Sequence, residues 1–146
     1  MAGLLDPEML LDLARQSAES AYAPYSHFHV GAVLLGAGGG LYSGCNVENA
    51  SYGLSVCAER AAIATAVRAG ERRFLGLAIW GAREGEPPAP CPPCGACRQV
   101  LAEFCDANLP VWSQGADGTP VLWTLGALLP EAFSLPGDGP HGGTRP

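Results

Sequence analysis

No stretch of this 146-residue chain approaches the roughly 20 uninterrupted apolar residues that a bilayer span needs, although 48% of its residues are apolar. That excludes a membrane-spanning helix and leaves the apolar residues to line a core. Positive charge is also scarce: eight basic against fourteen acidic side chains give a net charge of −6, the wrong sign for neutralising a phosphate backbone. A long nucleic acid is therefore not expected as a partner. The N-terminal stretch MAGLLDPEMLLDLARQSAE lacks the basic start, apolar centre and small-residue cleavage site of a secretory signal, so the expected location is the cytoplasm. No internal repeat and no domain linker is present, and the length suits one domain burying roughly two-thirds of its unfolded surface.

What is present alternates between helical and extended patterns. Asp6-Pro7-Glu8 offers an N-cap, a proline at the first helical position and an acid in the first turn. Leu10, Leu13, Ala14, Ser17 and Ala21 follow at helical spacing until Pro24 stops the pattern. HFHVGAVLL (27–35) and LYSGCNV (41–47) flank GAGGG as a β-hairpin, with Phe28 facing opposite to His27 and His29. The alanine-rich 57–70 and the stretch 95–108 read as helices, 74–81 as a central strand, and EGEPPAP (84–90) as a loop. LPVWSQ and TPVLWT suggest two more strands around the turn ADG, followed by a short helical LGALLPEAF. The alternation predicts an α/β domain of five short strands, a hairpin first, with helices covering the sheet. That domain spans 1–135, and the tail PGDGPHGGTRP (136–146) has the composition of a disordered segment.

The six cysteines stand at 45, 57, 91, 94, 97 and 105. In a reducing compartment they read as ligands, nucleophiles or buried thiols rather than disulfides. Cys91-Pro-Pro-Cys94 has the form of a redox dithiol, but a third cysteine follows at the same spacing. An iron–sulfur run would need its next cysteine sooner than Cys105. A closed structural zinc site needs a second close pair, and neither another Cys-x-x-Cys nor a His-x₃₋₅-His occurs. One pair and one distant single remain, and the single is Cys57, followed by Ala58 and Glu59 at a helix start. Three thiolates with one open coordination position describe a catalytic metal site. Cys94 and Cys97 form the pair, because both lie at the entry to a helix, where free N–H groups and the macrodipole favour thiolate. Cys91 is left as a spare thiol in the loop.

Cys57-Ala58-Glu59-Arg60, Pro93-Cys94-Gly95-Ala96-Cys97-Arg98-Gln99-Val100 and CNVENASYG (45–53) together resemble the small cytidine deaminases that act on free nucleosides. The resemblance runs in order from about residue 20 to residue 135. It implies a three-layer α/β/α fold with a mixed five-stranded sheet and one Zn²⁺ per subunit on Cys57, Cys94 and Cys97. The implied reaction is deamination of cytidine and 2′-deoxycytidine to uridine and 2′-deoxyuridine, with release of ammonia, in pyrimidine salvage. Zinc would make hydroxide available near neutrality, while Glu59 would take the water's proton and deliver it to N3 as hydroxide attacks C4, and later protonate the departing ammonia. A glutamate in the first turn of a helix is commonly no more than a favourable charge; its place two residues from Cys57 argues otherwise.

The same resemblance assigns Arg60 to hydrogen bonds on ligand sulfur, which would offset the net charge of −1 that three thiolates leave on Zn²⁺. Asn46 and Glu48 would bind ribose hydroxyls, Phe28 would pack on the pyrimidine, and Ala58 would line the substrate site. Ala50, Tyr52 and Phe133 would approach the substrate from a neighbouring subunit of a homotetramer. For each phenylalanine, plain core packing is the commoner fate. Deamination of another aminopyrimidine, or a zinc-stabilised or redox-active interaction module without catalysis, are the competing readings.

Overall fold

A computed structural model describes residues 6–136. Helix α1 (Pro7–Ala18) starts where Asp6 Oδ1 accepts the N–H groups of Glu8 at 3.1 Å and Met9 at 3.3 Å, the N-cap geometry expected of an aspartate there. Strands β1 (Phe28–Gly36) and β2 (Leu41–Cys45) form the hairpin. They are followed by α2 (Ala58–Arg68), β3 (Phe74–Arg83), α3 (Gly95–Phe104), β4 (Pro110–Gln114), β5 (Pro120–Thr124) and the single turn α4 (Leu125–Leu128). The sheet order is β2-β1-β3-β4-β5, with β3 and β4 parallel and the other pairs antiparallel. This is the mixed five-stranded α/β architecture expected from the sequence.

Side-chain alternation along the strands divides the core into two layers. On one face Leu10, Leu11 and Ala14 of α1 pack against Val33, Ala78 and Trp112. On the other, Ala58, Ala62 and Ile63 of α2 and Leu101 and Ala102 of α3 pack against Ala32, Leu34, Leu77, Ile79 and Val111. Two glycines let the helices come close. A methyl group on Gly31 would run into the carbonyl of Ala14 and come within 2.6 Å of the Ala18 nitrogen, and one on Gly44 would meet the backbone of α2 at Ala58 and Ala62. Helix α2 ends at Gly70, whose φ of 94° suits a residue without Cβ. The N–H groups of Gly70 and Glu71 return to Val67 O at 3.0 Å and Ala66 O at 2.9 Å, a Schellman closure.

Several boundaries differ from the sequence reading. Helix α1 stops at Ala18, before Ala21, because Tyr22 is drawn into a bridge with Val47: Tyr22 N–H donates to Asn46 O at 3.0 Å and Glu48 N–H to Tyr22 O at 2.8 Å. Helix α3 ends at Phe104 rather than 108, since Cys105 is extended and the Asp106 carboxylate takes the Asn108 N–H at 2.7 Å. His27 lies outside β1 with φ of 57°, so it does not share a strand face with His29. Helix α4 ends before Pro130, well short of Phe133. Of the tail 136–146, residues 137–146 lie outside the described residues. Because α1 meets Gly31 through backbone atoms that cannot swing aside, Gly31→Ala is expected to lower stability by about 1–3 kcal/mol, read as a lower urea midpoint at unchanged slope.

Candidate metal centre and active site

Cys57 is the N-cap of α2 and Cys94 the N-cap of α3, while Cys97 stands one turn into α3. Neither cap residue uses its side chain to bond its own helix, so both sulfurs are available to a third party beside unpaired N–H groups. The three Sγ atoms lie within 4.8 Å of one another. Cys57 and Cys94 are 3.8 Å apart, and Cys94 and Cys97 are 3.5 Å apart. A tetrahedral centre with Zn–S of about 2.3 Å requires sulfurs about 3.8 Å apart, so the donor set fits one zinc ion. Among the described residues no other group of three such side chains comes together.

The surroundings of the cluster are charged in a graded way. Arg60 Nη2 points at Cys57 Sγ at 3.8 Å and also donates to Ser55 O at 3.1 Å. A hydrogen bond from the Cys97 thiol, foremost, with help from Arg60 and Cys94, outweighs burial and brings Cys57 down to about 5. The same bond, with burial and nearby negative charge, pushes Cys97 up. Of these two thiols Cys57 is therefore the first to ionise. Glu59, 5% exposed, is raised to about 7 chiefly by burial, with the Cys57 charge adding to the rise and a hydrogen bond with Cys97 opposing it. A buried carboxyl of this kind can hold or release a proton near neutrality.

Beside Cys57 opens a cleft of ≈ 370 Å³ lined by residues that include Asn46, Glu48, Tyr52 and Ser55. Glu48 Oε1 accepts the N–H groups of Tyr25 at 3.0 Å and Ser26 at 3.1 Å. The Ser26 hydroxyl and these N–H groups hold the carboxylate below its usual range, so Glu48 is a fixed anion. Asn46 is equally fixed: Oδ1 takes the Val30 N–H at 2.9 Å and Nδ2 donates to Phe28 O at 2.9 Å. One amide hydrogen and one lone pair remain for a ligand.

Phe28 is half-buried, and a methyl group on Gly81 would lie 3.1 Å from both Phe28 Cε1 and Cys91 Sγ. Phe28 and Cys91 therefore converge on Gly81, opposite Val30 in the sheet. Burial pushes the Cys91 thiol up to about 11, the state of a packed thiol rather than a reactive one. Ala58 is buried in the first turn of α2, with its N–H among those lacking an intrahelical acceptor.

The remaining sequence candidates face outward. Ala50 is exposed, Tyr52 is 74% exposed and stacks edge-on to Tyr25 at 6.0 Å, and Phe133 is 65% exposed with its carbonyl taken by Gln99 Nε2 at 3.0 Å. Tyr52 lines the cleft of its own chain, while Ala50 and Phe133 are absent from its lining. Sequence reasoning missed Tyr25, Ser26 and Ser55, which act through backbone groups that leave no mark on residue type, joined at Ser26 by its hydroxyl. Nor did it single out Ser113, a fully buried hydroxyl that accepts the Cys91 N–H at 2.7 Å, where the one signal was its place two residues after the core-facing Val111.

Against this geometry, the chain matches the family described as the cytidine and deoxycytidylate deaminase zinc-binding region over residues 6–113. A cytidine deaminase of Sporosarcina psychrophila is 46% identical over 130 residues, covering 89% of this chain and 93% of that protein. One from Mycobacterium tuberculosis is 43% identical over 131 residues, covering 90% and 92%. The crystal structure of cytidine deaminase from Burkholderia pseudomallei superposes with a TM-score of 0.80 at 44% identity, covering 88% of this chain and all of that one. If the cluster is the zinc site, Cys94→Ser loses the metal, whereas Cys91→Ser, which keeps the backbone N–H and little else, retains it. Zinc content of the purified variants by atomic emission reads the difference, and equal losses would reopen the choice of ligands.

Proposed function

The chain belongs to the cytidine and deoxycytidylate deaminase zinc-binding family, and from that membership and the site's chemistry we propose that it hydrolytically deaminates free cytidine and 2′-deoxycytidine. The products are uridine or 2′-deoxyuridine and ammonia, and the setting is pyrimidine salvage in the cytoplasm. The observation that carries the reading is a buried carboxyl, Glu59, two residues from Cys57 of a three-thiol cluster that borders an open cleft through Cys57. Cys57, Cys94 and Cys97 would hold a zinc ion, which when bound would make activated water available for attack at C4 of the base.

The chain's own residues do the rest. Glu59 takes one proton from water and gives it to N3, then takes the remaining proton of the hydroxyl added at C4 and delivers it to the 4-amino group, which departs as ammonia, a double duty suited to a carboxyl raised toward neutrality by burial. Asn46 and Glu48 orient the ribose, Phe28 packs on the pyrimidine and Ala58 lines the pocket. Arg60 offsets charge on the Cys57 sulfur. Free nucleosides suit the cleft better than nucleotides, because a phosphate would add negative charge to a site that already holds the Glu48 carboxylate and thiolate sulfur.

The domain over 1–135 works in a homotetramer in which Ala50, Tyr52 and Phe133 complete a neighbour's site. The outward projection of Tyr52 and Phe133, with Leu54 also 68% exposed, supports that assignment.

Conversion of cytidine followed by the ultraviolet change and by ammonia release tests the reaction. Glu59→Ala is expected to slow it by at least about 10²–10⁴-fold, and an unaffected rate, or no conversion by zinc-loaded wild type, would sink the reading. Arg60→Gln is expected to keep some zinc and to turn over more slowly. Unchanged metal content and rate would remove Arg60 from the cluster's support.

A further inference from the structure

The segment 87–93 reads Pro-Pro-Ala-Pro-Cys-Pro-Pro, so five of its seven residues are proline and only Ala89 and Cys91 have a backbone N–H to give. Both are used on the sheet. Ala89 N–H donates to Gly81 O at 3.3 Å at the end of β3, and Cys91 N–H donates to Ser113 Oγ at 2.7 Å on β4. Ser113 is 0% exposed, a hydroxyl in an otherwise apolar interior, and stands beside Ile79 in the parallel β3–β4 register. Beyond Cys91 the chain has no further donor until the metal ligand: Pro92 and the fully buried Pro93 lead straight into Cys94.

From these contacts we infer that Ser113 is a positioning residue for the metal centre, acting through the Cys91 N–H to hold the proline segment so that Cys94 reaches Cys57 and Cys97. The inference rests on the zinc reading above. Its logic is mechanical. Proline fixes φ at every second or closer position, so the segment moves as a stiff strut rather than absorbing a displacement locally. A strut with two attachments to the sheet is aimed; with only the longer Ala89 bond it can pivot. The strut is also held at its last residue by Arg98 of α3, which donates from Nε to Pro93 O at 2.7 Å and from Nη1 to Leu128 O at 2.8 Å, so that the end next to Cys94 is a pivot and the Cys91 bond sets the direction. Ser113 is the anchor for that bond. The thiol of Cys91 is not needed for this, only its N–H.

Ser113→Ala in the zinc-loaded protein is expected to hold zinc about 10- to 100-fold less tightly, the range seen when a partner of a ligand is removed, measured as transfer of zinc to a chromogenic chelator. The cobalt-substituted variant is expected to show a weakened thiolate charge-transfer band. Ser17→Ala is the comparator: its hydroxyl donates to Gly44 O at 2.7 Å, joining α1 to β2 away from the strut, so its loss tests stability alone and leaves zinc retention as in wild type. Ser113→Cys keeps the volume with a weaker acceptor and gives the same comparison should the alanine variant not fold. Zinc retention in Ser113→Ala and Ser113→Cys equal to wild type, or lowered no more than in Ser17→Ala, overturns the role of Ser113 while leaving the deaminase reading intact. Wild type that binds no zinc overturns both.

Discussion

Everything in this molecule's chemistry depends on two helices beginning at the same point. Strands β2 and β3 both run antiparallel to β1, so they are parallel to each other, and β4 is parallel to β3. Helix α2 connects β2 to β3 and α3 connects β3 to β4, both packed on the same face of the sheet. A crossover between parallel strands must start where the first strand ends. Both N-termini therefore fall at the carboxyl edge of the strands, the edge where open α/β sheets bind their ligands. Cysteines at the two N-caps, with one more a turn inside α3, meet there at the ends of the connections 46–57 and 84–94. The close approach of α2 at Gly44 and of α1 at Gly31 fixes the sheet between the two helical layers and hence where the helices begin.

Magnitudes explain why the meeting point calls for a cation. Two unit charges about 4 Å apart repel by about 4 kcal/mol at the effective dielectric of a protein surface, and the sulfur separations here are 3.5 and 3.8 Å. A helix N-terminus returns only about 0.3–1 kcal/mol for each anion. Two helix ends and one arginine cannot sustain three thiolates, which is why Cys57 ionises readily while Cys97 is pushed the other way. A divalent ion changes the balance because thiolate binding to it releases the protons. Helix ends and Arg60 then act as modest corrections to the excess of negative charge, not as its counterions.

How much of this was legible follows from what each feature depends on. Side-chain periodicity and capping residues carried the elements: Asp6-Pro7, the Gly70 closure, the glycine-rich turn of the β1–β2 hairpin and the spacing of Cys94 and Cys97 were readable because each is a local property of a few neighbours. The ends of α1 and α3 were not, because they are decided by partners distant in sequence or by a side chain competing for a backbone group: Tyr22 by Asn46 and Val47, Cys105 by the Asp106 turn. His27 was placed on a strand since nothing in its type announces a left-handed backbone. At the site, the metal ligands and Glu59 stood out by spacing. The groups around them did not: the N–H groups of Tyr25 and Ser26 that hold Glu48, the carbonyl of Ser55 that holds Arg60, and the Ser113 hydroxyl that takes the Cys91 N–H.

The proline segment shows why such an odd composition suits its position. A chain that crosses the end of a sheet beside a metal centre must leave each N–H it brings to water or to a protein partner, and a buried donor with neither costs about 1–3 kcal/mol. This segment is largely exposed, with Pro93 alone buried. Replacing five donors in seven residues by proline removes that demand at five places, and leaves two N–H groups that the ends of β3 and β4 can satisfy. Proline also lowers the conformational freedom of the unfolded chain, so ordering the strut costs less entropy than ordering an ordinary loop. The absence of regular structure between β3 and α3 is thus not looseness. Stiffness comes from the ring constraint, direction from two hydrogen bonds, and the result is a cysteine delivered to a fixed place by a segment that is neither helix nor strand.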